Sequence, residues 1–291
     1  MQKIKCELCG SNQLLKQDGF FICEYCRTKY SVEDAKKMLI EGVVEVTGTV
    51  KMDSSEKLKN LYQIARRAKN DNNAESAAKH YEMILVEDPN SWEAVFYTVY
   101  YKAFQCSITE IQSAAISVSN CIHSVFELIK NNVSEEAKQE EAIEEVTSCV
   151  IYISDIFLNS AKNYFNELDS EIKHDFTQQF IANAAASVNT IYYLGDSLDV
   201  FFNDKKFACE LMISAWKSGI VSHLTMLDTS LVGFHIDKNN EENVIMTYVD
   251  KIKKYDSSYQ SPNVNIKSNI GYIIMYVVAI IIFVLWIISQ F

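Results

Sequence analysis

The chain has 291 residues and a net charge of −11, with 27 Lys and Arg against 38 Asp and Glu. Its 48% hydrophobic content excludes a disordered chain, and its acidic balance excludes a broad basic surface for nucleic acid. With eight glycines and two prolines it is neither a turn-dense β protein nor a collagen, and a mainly α fold is predicted.

The N-terminal segment carries four cysteines in the pattern Cys-x2-Cys-x13-Cys-x2-Cys. They are Cys6, Cys9, Cys23 and Cys26. Each Cys-x2-Cys pair directs two sulfurs at one ion, and four thiolates form a closed tetrahedral zinc site of the structural type. Two disulfides are the alternative, although they are typical of oxidising compartments. Residues 1–30 are therefore predicted to form a small β zinc ribbon that holds one structural Zn2+.

Two short strands are predicted between the cysteine pairs. Residues 14–16 and 20–22 flank Asp18-Gly19, which is a strong hairpin sequence. The same segment carries basic and aromatic side chains of the kind that bind nucleic acid, although the thiolates of a zinc site cancel part of the positive charge. The candidate nucleic-acid-binding residues are Lys16, Arg27 and Lys29.

A short helix and a linker are predicted over residues 31–52. The sequence from Ser31 to Asp34 resembles a helix capping box, and Gly42 ends the predicted helix. Residues 1–40 carry a net charge of +2, whereas the rest of the chain has 20 basic and 33 acidic residues, a net charge of −13. This change in composition predicts a domain boundary at the linker.

Residues 53–256 are predicted to form an α-helical domain. Its first helix pair, about residues 56–89, has apolar residues and alanines at helical spacing and resembles one tetratricopeptide unit. The pattern is not repeated, and one unit is too short for a stable solenoid, so the pair must pack on the helices that follow. Those helices are predicted over residues 92–129, 134–168, 170–202, 204–226 and 240–255.

The helical domain offers three candidate surfaces for a partner. One is a basic first helix, which is either a solvated face or a site for an acidic peptide or lipid headgroups. Another is an aromatic cluster starting at Trp92, which is larger than one helix face can bury, so that part of it could line a groove. An acidic run near residue 135 is either a solvated face or a docking surface for a basic partner. The candidate partner-binding residues are Lys57, Arg66, Arg67 and Trp92.

No catalytic motif is found in the sequence. It lacks P-loop, GxSxG, HExxH and kinase signatures, and its five histidines are isolated from one another. The chain is therefore predicted not to be an enzyme. An enzyme with an unrecognised site would instead show a deep pocket in the helical region, with convergent polar groups.

The C-terminal segment has the length and composition of a membrane helix. Residues 270–288 are nineteen uncharged residues, about 28 Å long as a helix, which is close to the thickness of a bilayer's hydrocarbon core. A buried core helix is the alternative. Lysines lie upstream, both before and within the polar tether of residues 257–269, so the positive-inside rule places the N-terminal region in the cytoplasm. The prediction is a single-pass, tail-anchored membrane protein.

Two stretches of the chain resemble a known family. Residues 6–42 (CELCGSNQLLKQDGFFICEYCRTKYSVEDAKKMLIEG) resemble the transcription-factor-IIB-type ribbon of bacterial zinc ribbon-containing proteins of Firmicutes. Residues 56–94 resemble the helical region that follows the ribbon in those proteins. The resemblance implies a bacterial cell membrane, metal ligation by the four N-terminal cysteines and no defined biochemical activity.

Together these features predict a non-enzymatic, membrane-anchored adaptor. Its zinc ribbon and helical domain would bind cytoplasmic proteins and hold them at the membrane. A nucleic-acid-binding zinc-ribbon protein tethered to the membrane is the alternative, because ribbons bind either class of partner.

Overall fold

The computed structural model describes residues 14–17, 20–24, 28–31, 54–229 and 237–262. The chain divides into two compact units, Met1–Ser54 and Ser55–Phe291. The predicted helix and linker between residues 32 and 52 lie outside the described ranges, as does the predicted membrane helix of residues 270–288.

The N-terminal unit contains a three-stranded antiparallel sheet. Its strands are β1 (Leu14–Gln17), β2 (Phe20–Cys23) and β3 (Lys29–Tyr30), in the order β1-β2-β3. The register places Gln17 opposite Phe20, so the predicted hairpin is confirmed. Strand β3 has no counterpart in the prediction, because two residues are too few to show a strand's alternating pattern.

The second unit is mainly helical, as the low glycine and proline content predicts. Its described residues form eight α-helices, with one 3-10 turn, Ile108–Glu110, directly before the fourth. The helices are α1 (Ser54–Asn70), α2 (Ala74–Glu87), α3 (Trp92–Phe104), α4 (Ile111–Asn132), α5 (Glu136–Glu167), α6 (Lys173–Phe202), α7 (Lys206–Leu227) and α8 (Lys238–Tyr255).

The single helix predicted over residues 92–129 is wrong, because the structure has two helices there. Helix α3 ends at Phe104, and the 3-10 turn leads into α4 at Ile111. The turn is fixed by a capping box in which the carboxylate of Glu110 accepts hydrogen bonds from the backbone N–H (2.9 Å) and the hydroxyl (2.8 Å) of Ser107. The break carries neither glycine nor proline, so the usual sequence signals for a helix end are missing.

The first helix pair is held by small residues and caps. Ala65 on α1 and Ala77 on α2 are both fully buried, as expected for a tetratricopeptide-like pair. Asn72 has φ 55°, which lets the chain reverse tightly between the two helices. The side chain of Asn73 then caps α2 by accepting a hydrogen bond from the backbone N–H of Ser76.

Helix α6 lies at the centre of the core and packs against α4, α5 and α7. Two glycines allow α6 and α7 to approach closely. A Cβ atom on Gly195 would lie 2.5 Å from the Trp216 ring, and one on Gly219 would lie 2.6 Å from the Tyr192 ring. Both large aromatic side chains are buried, so each glycine makes room for the ring opposite it.

The structure corrects two expectations over the part of the chain that it describes. Among those residues, no group of three or more His, Cys, Asp or Glu side chains is arranged to hold a metal ion. None of the described helices is both long and apolar enough to cross a membrane.

Candidate functional site

Two helices of the second unit, α3 and α5, each line one side of the same groove. On α3, Tyr97, Tyr100, Tyr101 and Phe104 share one face because they are spaced by three and four residues. On α5, the lining residues from Glu145 to Tyr152 repeat the same spacing. Together with the end of α1 and the start of α2, they enclose a cavity of about 360 Å³, called here the tyrosine groove. Its lining is Lys69, Asn72, Ala74, Tyr97, Tyr100, Tyr101, Phe104, Glu145, Ser148, Cys149 and Tyr152.

The floor and the rim of the groove are both aromatic. The Tyr97 ring stacks on Tyr101 with centroids 5.5 Å apart and meets Tyr100 edge-on at 5.9 Å. These three tyrosines are buried, whereas Phe104 is 44% exposed and Tyr152 is 56% exposed. The floor is therefore a set of buried, packed rings, and the two exposed rings leave apolar surface in contact with water at its edge.

One ion pair lies within the groove. Lys69 pairs with Glu145, and the Tyr97 hydroxyl donates a hydrogen bond to the same carboxylate. The Lys69 ammonium also lies 4.7 Å from the centroid of the Tyr97 ring. The side chains of Lys69 and Glu145 are 26% and 31% exposed, so both charges remain accessible to a ligand.

The thiol and the tyrosine hydroxyls of the groove are held in their neutral, protonated forms. Burial raises the pKa of the Cys149 thiol, and it raises the pKa of the Tyr97 and Tyr100 hydroxyls well above the ordinary value. A thiol of raised pKa is a poor nucleophile, and the ammonium and carboxylate of the groove neutralise each other. The arrangement therefore suits recognition of a ligand rather than covalent catalysis.

The predicted partner-binding residues lie outside this groove. Arg66 donates to the carboxylate of Glu93 through Nε (3.0 Å) and Nη2 (2.6 Å), and Lys57 pairs with Glu87 at 2.7 Å. Arg67 is exposed.

The aromatic cluster does reach the groove. Trp92 is half-buried against the core at the opposite end of α3 from Phe104. The later residues of the cluster, from Tyr97 to Phe104, line the groove, whereas Trp92 does not. Part of the cluster therefore lines a groove, as its size predicts.

The other candidate residues fall mostly outside the described ranges. Lys16 is part of β1, Lys29 is exposed on β3, and Arg27 is outside the described residues. Of the predicted metal ligands, Cys23 ends β2, where only its backbone is described. The remaining three, Cys6, Cys9 and Cys26, lie outside the described residues. These assignments stay predictions.

Sequence reasoning treated the basic first helix, which includes Lys69, and the acidic run, which includes Glu145, as separate candidate surfaces and did not place them in one groove. Lys69 and Glu145 are 76 residues apart, and neither belongs to a recognisable motif. The spacing of Glu145, Cys149 and Tyr152 marks one helical face, but only the packing of α5 beside α3 shows what that face meets.

A second, more open cavity of about 620 Å³ lies between α5, α7 and the residues after α8. The hydroxyl of Ser222 donates to Asp155 at 3.0 Å, and Lys217 pairs with Asp256 at 3.5 Å. Burial raises the pKa of Asp155. This cavity is the more open of the two and no aromatic ring of the described residues lines it, so the tyrosine groove, with its exposed rings, is the stronger candidate site.

No family model, curated protein or solved structure matches the chain. The resemblance to zinc ribbon-containing proteins therefore stays a prediction.

Proposed function

We propose that the chain is a non-enzymatic adaptor whose helical domain binds a segment of a partner protein in the tyrosine groove. The observation that carries the proposal is the pair of exposed rings, Phe104 and Tyr152, at the edge of a preformed aromatic cavity. Aromatic residues dominate the energetics of protein interfaces because they bury large areas at a low cost in conformational entropy.

The size and chemistry of the groove fit a peptide side chain. A cavity of about 360 Å³ is at the lower end of the range for small-molecule sites, which extends to roughly 1,000 Å³. An open groove of this size accommodates one or two anchor side chains of a bound segment. The neutral Cys149 thiol and the paired charges of Lys69 and Glu145 supply no activated nucleophile.

The test is affinity isolation from the protein's own cells, with nuclease present. The bait is the full chain as wild type, as the double variant Phe104→Ala/Tyr152→Ala, or as Tyr193→Ala. Tyr193 is a matched control, because it is a 40% exposed tyrosine on α6 that does not line the groove. The proposal predicts proteins that are retained by wild type and Tyr193→Ala and lost from the double variant. A set of bound proteins that is the same for all three baits contradicts it.

A further inference from the structure

We infer that the tyrosine groove selects a cationic side chain, an arginine or lysine carried on an extended segment of the partner protein. This inference deepens the proposed function and rests on it. It assigns the chemistry of the ligand, whereas the proposed function assigns only the surface.

The groove already stabilises one cation of the chain itself. The Lys69 ammonium lies over the Tyr97 ring, 4.7 Å from its centroid, and contacts the Glu145 carboxylate and the Tyr97 hydroxyl. An aromatic face combined with a carboxylate is the arrangement that attracts ammonium and guanidinium groups in proteins. The chain's own lysine thus shows which kind of group the groove accommodates.

Further aromatic surface remains open for a second cation. Phe104 and Tyr152 are about half exposed, and no Lys or Arg of the described residues lies over either ring. Phe104 lies seven residues beyond Tyr97 on α3, and Tyr152 lies seven residues beyond Glu145 on α5, which is about 10 Å along each helix. A cation on these two rings would therefore be stabilised by the ring faces directly and by the Glu145 charge at longer range. A planar guanidinium is the better fit of the two cations, because it stacks on aromatic faces and is more weakly hydrated than an ammonium.

The charge of the surroundings favours the same class of ligand. Beyond residue 40 the chain has a net charge of −13, and the exposed Glu141 lies one turn before Glu145 on α5. Such a field attracts basic segments and repels acidic ones. A proline-rich segment would also fit an aromatic groove but would gain nothing from these charges.

The experiment is the selection of peptides from a phage-displayed random library on the immobilised full chain. Clones are kept when they bind wild type and Tyr193→Ala but not Phe104→Ala/Tyr152→Ala. We expect these groove-dependent clones to be enriched in Arg and Lys over the unselected library. Groove-dependent clones without that enrichment, for example proline-rich ones, overturn this inference and leave the proposed function standing. The absence of groove-dependent clones overturns the proposed function itself.

Matched peptides and variants then test the charge directly. A selected peptide is synthesised with its anchoring arginine replaced by citrulline, which keeps the shape and removes the charge. The citrulline peptide should bind about tenfold more weakly, and binding within twofold of the arginine peptide contradicts the inference. An unfolded variant can only lose binding, so a variant that is expected to gain affinity is also needed, and Lys69→Met is that variant. It removes the competing cation and should bind the arginine peptide more tightly, by about threefold or more. Unchanged or weaker binding by a folded Lys69→Met variant overturns the inference.

Discussion

Arg66 links α1 to α3, and its removal should destabilise the helical unit. Its guanidinium donates through Nε and Nη2 to both carboxylate oxygens of Glu93, a residue that is only 6% exposed. The Tyr81 hydroxyl also donates to this carboxylate, at 2.7 Å. In Arg66→Met the buried carboxylate keeps the hydrogen bond from Tyr81 but loses its counter-ion.

The magnitude follows from the exposure of the two partners. Breaking a buried ion pair by removing one partner costs about 3–5 kcal/mol. The Arg66 side chain is 58% exposed, so water can reach the vacated position, and we expect a loss of about 2 kcal/mol. Lys57→Met is the matched control because its pair with Glu87 is exposed on both sides and should be worth about 0.5 kcal/mol or less.

The assay is urea unfolding of the full chain near neutral pH, followed by far-UV circular dichroism, which reports mainly on the helices. Adding Glu93→Gln to Arg66→Met should recover part of the lost free energy of unfolding, because it removes the unpaired charge and keeps an acceptor for Tyr81. Equal losses for Arg66→Met and Lys57→Met would refute the reasoning, since the buried carboxylate would then not matter.

Three further predictions concern the core. Gly195→Ala should cost about 1–3 kcal/mol of unfolding free energy, measured in urea, because its Cβ would lie 2.5 Å from the Trp216 ring; a cost below about 0.5 kcal/mol contradicts this. Burial lowers the pKa of His223 despite its contact with Glu241, so the unfolded chain takes up the proton first. Stability should therefore fall as pH drops below about 6.5, and His223→Gln should flatten that part of the urea-midpoint profile. Burial raises the pKa of Cys121 to about 12, so mass spectrometry should find it unmodified by iodoacetamide in the folded chain and alkylated in urea; rapid labelling of the folded form is the opposing result.

Local sequence signals predicted the boundary between α2 and α3 correctly. Asp88-Pro89 ends α2, and the stretch from Asn90 to Glu93 starts α3, where the hydroxyl of Ser91 accepts a hydrogen bond from the backbone N–H of Ala94. The break after Phe104 was missed because the capping box of the 3-10 turn lies within an apolar pattern that reads as continuous helix.

The candidate site was harder to predict, because the groove is made by tertiary packing. The spacing of the aromatic residues on α3 indicates that one face of the helix is rich in aromatic rings. The sequence does not show which of these rings stay exposed. Arg66 and Lys69 are equally basic in the sequence. Only the structure shows that Arg66 pairs with Glu93 at the joint between α1 and α3, whereas Lys69 points its charge into the groove.

The central claim, that a partner protein occupies the tyrosine groove, is tested most directly by site-specific photo-crosslinking in cells. The photoreactive residue p-benzoylphenylalanine replaces Tyr152 in one full-length protein and Tyr193 in another. Both positions are exposed tyrosines, so only their location differs. A protein adduct that forms on irradiation at position 152, but not at position 193, is the predicted result. The same adducts at both positions, or adducts only at 193, would contradict the claim.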